Sequence, residues 1–133
     1  MRRPVSALSI LRVTCGCVQT LIGGATILLG LSFAAFGMAL AAREQLAAGI
    51  PAVGLGTVLL IVAGVLTLLQ GVFGVANRHH AFAIGAAFVA VTIQGLFHAV
   101  FQLKITPAMV ALLAFECATI PVAWLSALPR PAQ

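Results

Sequence analysis

The residue in this sequence best placed to do chemistry is Glu116, because residues 105–129 carry no other charge. By position it lies near the middle of a long apolar stretch that ends with the chain's last basic residue. A carboxyl group in hydrocarbon costs a few kcal/mol, so it must be protonated, paired with another group or in contact with water. Two interpretations follow. Glu116 either couples to protons or cations, or is a neutral acid that hydrogen-bonds to a neighbouring helix or subunit.

Three polar residues are candidates to accompany Glu116. Counting from the predicted turn near Lys104 places Gln94 at the depth of Glu116, and His98 follows Gln94 by four residues on the same helix face. Thr119 lies one helical turn beyond Glu116. The sequence therefore predicts an intramembrane polar cluster of Glu116, Gln94, His98 and Thr119.

Pro121 lies five residues after Glu116 in the same stretch. Proline removes one backbone donor from a helix and leaves the carbonyl four residues back, here that of Cys117, without its partner. We expect a kink at Pro121. Such a kink either has no further role or places a free carbonyl beside the Glu116 carboxyl group.

The remaining cysteines and histidines have unfavourable spacing for a metal or cofactor. Cys15 and Cys17 have no histidine nearby, and His79 and His80 fall in a predicted turn, where solvated polar caps are expected. We therefore predict no metal ion, no cofactor and no catalytic residue. An intramembrane enzyme or redox protein that uses cysteine and histidine is kept as a third hypothesis.

Charged residues divide the chain into long uncharged stretches. Arg43 and Glu44, then Arg78, then Lys104 separate four segments, each longer than the roughly 20 apolar residues that a helix needs to cross a membrane. A basic head, residues 1–12, is expected to lie in the membrane interface before the first span. The predicted fold is an all-α, four-span transmembrane bundle with short loops. Its spans are about 17–42, 53–76, 81–102 and 108–128.

Composition agrees with a chain that lives in a lipid bilayer. Of 133 residues, 62% are hydrophobic and 7% charged, whereas soluble domains carry about a quarter charged residues. The four spans use nearly the whole length, so a single integral-membrane domain, 1–133, is expected. The net charge of +5 does not indicate nucleic-acid binding, because the basic residues stand alone at span ends without aromatic neighbours.

Basic residues also predict the orientation. Cytoplasmic loops carry more Arg and Lys than the loops on the other side. One side of the predicted bundle receives five basic residues and the other receives Arg43 and Lys104. Both termini are therefore expected in the cytoplasm, and the abundance of Ala, Gly, Val and Leu favours a bacterial inner-membrane protein. The five residues are Arg2, Arg3, Arg12, Arg78 and Arg130.

Small residues form stripes at helical spacing on the first two spans. Such stripes let helix backbones approach closely in lipid, where apolar burial provides no driving force. Gln19 and Gln70 lie at similar depth in these spans and are expected to hydrogen-bond. The predicted helix-packing residues are Gly23, Gly30, Ala34, Gly37, Gly64, Thr67, Gly71 and Gly74.

These features lead to two main hypotheses for function. The first is a small non-enzymatic membrane protein, an accessory or structural subunit that packs against itself or a larger membrane complex. The second is an oligomeric small transporter or channel in which Glu116 couples to protons or cations, with Gln94 and His98 lining the path. In both, the lipid bilayer is a partner and nucleic acid is not.

Overall fold

Four α-helices and no strands make up the described part of the chain, which in this computed structural model comprises residues 6–42, 49–101 and 103–129. The charge pattern predicted these four apolar helices, and the structure confirms them. Their bounds are Ala7–Ala42 for α1, Gly49–Ala76 for α2, His80–Val100 for α3 and Pro107–Ala127 for α4.

All four helices are long and apolar enough to cross a membrane. The shortest have 21 residues, which at about 1.5 Å per residue covers the roughly 30 Å hydrocarbon core. The helix α1 starts at Ala7, so residues 7–12 of the basic head, expected in the membrane interface, already belong to the first apolar helix. These helices suggest a multi-pass membrane protein.

The helix ends follow from local sequence. Thr106 precedes Pro107, the first residue of α4, and its hydroxyl oxygen accepts a 3.2 Å hydrogen bond from the Met109 amide. At the end of α2, Asn77 has a positive φ of 56°, a conformation that asparagine tolerates. There the amides of Asn77 and Arg78 donate to carbonyls of the last turn, which closes α2 and reverses the chain into α3.

Glycine makes the contact between α1 and α2 unusually close. Gly16, Gly23, Gly30 and Gly37 recur every seven residues along α1, and each lies against α2. A Cβ atom built on Gly23 would lie 2.7 Å from the carbonyl oxygen of Gly64, which is too close for any side chain. The absence of side chains at these positions allows the two backbones to touch.

The helices form a ring in which each packs on its neighbours in the sequence, and α4 closes the ring by a smaller contact with α1. The buried apolar residues are small: one valine and four alanines. Most large apolar side chains point outward, as expected where lipid is the solvent. The interior of the ring is therefore narrow and holds mainly small and polar groups. The buried apolar residues are Val53, Ala63, Ala86, Ala87 and Ala90.

Candidate functional site

Polar side chains concentrate in the interior of the bundle. Five are buried: Gln19, Thr67, Gln70, Glu116 and Thr119. They come from α1, α2 and α4, and the residues that α3 buries are all alanines. Polar groups inside an apolar bundle need hydrogen-bond partners or water, so the partners of these side chains decide what each one can do.

Glu116 is sealed within the chain, at 1% exposure. Neither oxygen of its carboxyl group has a hydrogen-bond partner among the described residues. The backbone around it is well satisfied, because the Thr119 hydroxyl donates a 2.6 Å hydrogen bond to the Glu116 carbonyl oxygen. Within the described part of the chain, packing and no polar partner holds this buried acid in place.

Gln94 and His98 lie elsewhere. The Nδ1 atom of His98 is 2.9 Å from the carbonyl oxygen of Gln94, a contact within α3 that occupies the ring nitrogen. Because a carbonyl only accepts, Nδ1 carries the proton in this contact and Nε2 is left free. Both residues line a crevice whose α4 wall is Ala108, Met109 and Leu112, so they lie about one turn away from Glu116 along α4. The structure brings Glu116 and Thr119 together, and Gln94 and His98 together.

This crevice, the apolar crevice, has a volume of about 310 Å³. Apolar side chains form most of its wall, and Gln94, His98, Thr26 and Thr106 are its polar residues. It lies towards the end of the bundle where α3 joins α4.

A smaller cavity, the polar cavity, lies at the other end of the bundle and has a volume of about 30 Å³. That end holds the beginning of α1, the turn from α2 to α3 and the end of α4, and is here named the Arg12 end. Small side chains complete the cavity wall around its polar groups. The polar residues that line it are Arg12, Cys15, Gln19, Gln70, His80 and Thr119.

One face of α4 connects the two cavities. Leu112 lines the apolar crevice and Thr119 lines the polar cavity. Glu116 lies four residues after Leu112 and three before Thr119, so these three residues share a helix face. Glu116 lines neither cavity and stands between them.

Gln19 and Gln70 pair as predicted: Gln19 Nε2 donates a 3.0 Å hydrogen bond to Gln70 Oε1. The Nε2 atom of Gln70 is buried and has no partner among the described residues. With the Glu116 carboxyl and the Thr57 hydroxyl, this donor is one of three unsatisfied buried polar groups among the described residues, and it belongs to a residue that lines the polar cavity.

Arg12 has a structural role that the sequence did not reveal. Its Nη1 atom donates to the carbonyl oxygens of Gly74 and Val75, in the last turn of α2. The last carbonyls of a helix lack partners within it and carry partial negative charge, so a guanidinium group stabilises them. The lack of bulky side chains on the facing glycines, Gly16 and Gly74, was the available signal that α1 approaches this turn.

The other candidate residues are dispersed. Cys15 is half-buried, Cys17 and Cys117 are exposed, and within residues 6–42, 49–101 and 103–129 no three His, Cys, Asp or Glu side chains cluster for a metal ion. Pro121 is exposed, and α4 continues through it to Ala127.

Comparison with known proteins gives no match, whether to protein-family models, to curated sequences or to solved structures. The class of protein therefore rests on the chain itself: four long apolar helices around a few buried polar groups, which suggests a multi-pass membrane protein.

Proposed function

We propose that this chain is a non-enzymatic subunit of the bacterial inner membrane that assembles with itself or with a larger membrane complex. It would cross the bilayer four times, with the Arg12 end and both termini in the cytoplasm. The excess of basic residues at that end supports this orientation.

The observation that carries the proposal is an outward stripe of small residues on α3. These residues are exposed and lie opposite the buried alanines of the same helix. A Cβ atom built on Gly85 or Gly95 meets no atom within 4 Å, so the backbone there is open to another helix. Small residues on an exposed helix face favour close helix association in lipid. The α3 stripe consists of Ala81, Gly85, Thr92, Gly95 and Ala99, and the exposed Phe88 lies on the same face between Gly85 and Thr92.

Most described glycines of α1 and α2 do not provide such a surface, and beside the two that face open space, Gly24 and Gly54, large exposed side chains lie one helical turn away. Gly23, Gly30 and Gly37 on α1 and Gly64 and Gly71 on α2 already lie between these two helices. An assembly through small residues would therefore use α3.

The test is to enlarge side chains on the α3 stripe and to measure the mass of the native assembly in mild detergent. Gly85→Leu and Gly95→Leu should abolish association by blocking close approach, with helix content by circular dichroism unchanged. Gly24→Leu is the matched control, because Gly24 on α1 also faces open space. A wild-type protein that is recovered alone and monomeric would contradict the proposal.

A second candidate function is the transport of protons or small cations, and one observation favours it. The Glu116 carboxyl group is buried without a hydrogen-bond partner among the described residues, and it lies between two cavities on one face of α4. Intramembrane carboxyl groups of this kind often belong to ion or proton paths.

Proton flux into proteoliposomes separates the two candidates. Glu116→Gln keeps the size of the side chain and removes the acid. The proton flux that wild type supports should therefore be absent in this variant. Equal flux in wild type, in Glu116→Gln and in empty liposomes would eliminate transport and leave the assembly proposal standing.

A further inference from the structure

We propose that the polar cavity is a buried water site, reached from the Arg12 end, that hydrates Gln70 and supplies protons to Glu116 from that side. The proton step rests on the second candidate function above. The water site stands independently of it.

The size of the cavity fits water, and although most of its open wall is apolar, a few polar residues reach it. A volume of about 30 Å³ exceeds the roughly 10–15 Å³ of probe-occupied space that one water molecule needs, so one or two molecules fit. Water also needs two to four polar neighbours. Gln19, Gln70 and Thr119 supply amide and hydroxyl groups at the inner wall, and all three residues are more than nine-tenths buried.

Gln70 provides an independent reason for a bound molecule. Its Oε1 atom accepts from Gln19, whereas its Nε2 atom is buried and has no partner among the described residues. A buried donor left unpaired costs about 1–3 kcal/mol, and a water molecule in the adjoining cavity removes that cost. The chemistry required is that of a small hydrogen-bond acceptor, which water meets.

The outer end of the cavity is marked by Arg12 and His80, which are half-buried. Arg12 and Cys15 from α1 and His80 from α3 are the titratable groups that line it, and α2 contributes only Gln70 and Gly74. The guanidinium group of Arg12 donates hydrogen bonds to two carbonyl oxygens at the end of α2.

Its inner end leads towards Glu116. Thr119 lines the cavity and lies three residues, about 4.5 Å of helix rise, from Glu116 on the same face of α4. The Thr119 hydroxyl donates to the Glu116 carbonyl oxygen, and its lone pairs remain able to accept from water. A proton that enters through the cavity therefore comes within one helical turn of Glu116 along α4.

The chain contains a matched pair of probes for the water site. Cys15 lines the cavity, and Cys17, two residues along α1 at nearly the same depth, is exposed on the outer face that lipid would cover. One protein retains only Cys15 (Cys17→Ser, Cys117→Ser) and the other only Cys17 (Cys15→Ser, Cys117→Ser). Both are reconstituted in liposomes, and the infrared S–H band of the remaining cysteine is followed after transfer to D₂O, because a cavity of this size admits water and no larger thiol reagent.

Because exchange of S–H to S–D needs contact with water, the Cys15 band should shift at least about tenfold faster than the Cys17 band. Gln70→Leu should slow the exchange of Cys15, and Thr119→Val, which keeps the shape of the side chain, serves if Gln70→Leu does not fold. If Cys15 exchanges as slowly as Cys17, yet fully after denaturation in detergent, the cavity is dry and the proposal fails. Unchanged Cys15 rates in both cavity variants would also overturn it.

The proton step has a separate readout. Infrared difference spectra of wild type minus Glu116→Gln isolate the Glu116 carboxyl band. On transfer to D₂O this band should shift within seconds in wild type and at least about tenfold more slowly in Gln70→Leu, because proton exchange needs a water path. If the Cys15 thiol exchanges quickly but the Glu116 carboxyl band does not shift, the proton supply is overturned and the water site still stands.

Discussion

The side-chain amide of Gln19 on α1 donates a 3.0 Å hydrogen bond to the side-chain oxygen of Gln70 on α2, and both residues are buried. The bond lies beside the polar cavity and links the two helices that glycine brings into contact. It fixes the register of α1 against α2, because a slip of one residue would separate the two amides and bury them unpaired.

Removing one glutamine of this pair should lower the free energy of unfolding more than the removal of the second glutamine does afterwards. Gln19→Leu leaves the Gln70 amide without its donor and should lower the free energy of unfolding by about 0.5–2 kcal/mol. Adding Gln70→Leu should recover part of that loss, because no polar group is then stranded. Unfolding in mixed micelles, measured for both single variants and the double variant, gives the coupling. Strictly additive losses would show that the hydrogen bond contributes nothing.

Two adjacent glycines on α1 should respond oppositely to the same small change. Gly23→Ala places a methyl group against the backbone of α2, and overpacking of this kind costs about 1–3 kcal/mol. Gly24→Ala points into open space and should be neutral or slightly stabilising, because alanine favours helix. Thermal unfolding in detergent compares the two variants. Equal effects would mean that α1 and α2 do not meet along this face.

Arg12→Gln should destabilise the Arg12 end of the bundle. The carbonyl of Val75 loses the guanidinium donor, that of Gly74 keeps only the Asn77 amide, and a charge near a helix C-terminus contributes about 0.3–1 kcal/mol. Arg78→Gln is the matched control, because Arg78 is exposed. Hydrogen exchange of the last-turn amides of α2, followed by mass spectrometry, should rise in the first variant alone. A similar rise in both variants would point to a general effect of charge.

Glu116→Gln should leave the free energy of unfolding within about 1 kcal/mol of wild type. The carboxyl oxygens have no hydrogen-bond partner among the described residues, and the amide occupies almost the same volume, so neither packing nor bonding changes. Unfolding of the two proteins in the same detergent checks this. A loss well above that range would reveal a polar partner for the carboxyl group, and would favour a structural role for Glu116.

Features set by neighbouring residues in the sequence could be predicted, whereas contacts between helices distant in the sequence could be predicted only in part. The isolated charges predict four apolar helices, and Thr106-Pro107 predicts the start of α4, because both are local signals. The Gln19–Gln70 bond follows from matching depth along two straight helices. The lateral partners of each helix face are set by the whole ring and are not local. Counting from the turn places Gln94 level with Glu116, but depth alone does not say which side chains meet: Gln94 and His98 line the apolar crevice, and Glu116 does not.

The same limit applies to the glycine stripes. Their spacing indicates that some helix packs against α1 and α2, and equally suits a helix of the same chain or of a partner. The structure uses them between α1 and α2. The outward position of Gly85 and Gly95 on α3 becomes visible only once the buried side of α3, with Ala86, Ala87 and Ala90, is known.

The contact between α1 and α2 has a consequence for how the protein is made. These two helices emerge from the ribosome before α3 and α4, and their glycine faces need no other part of the chain to fit together. A helical hairpin can therefore form while the rest is still being synthesised. The later helices would then dock on an existing template, and Glu116 and Thr119 on α4 would be the last of the buried polar residues to leave the lipid.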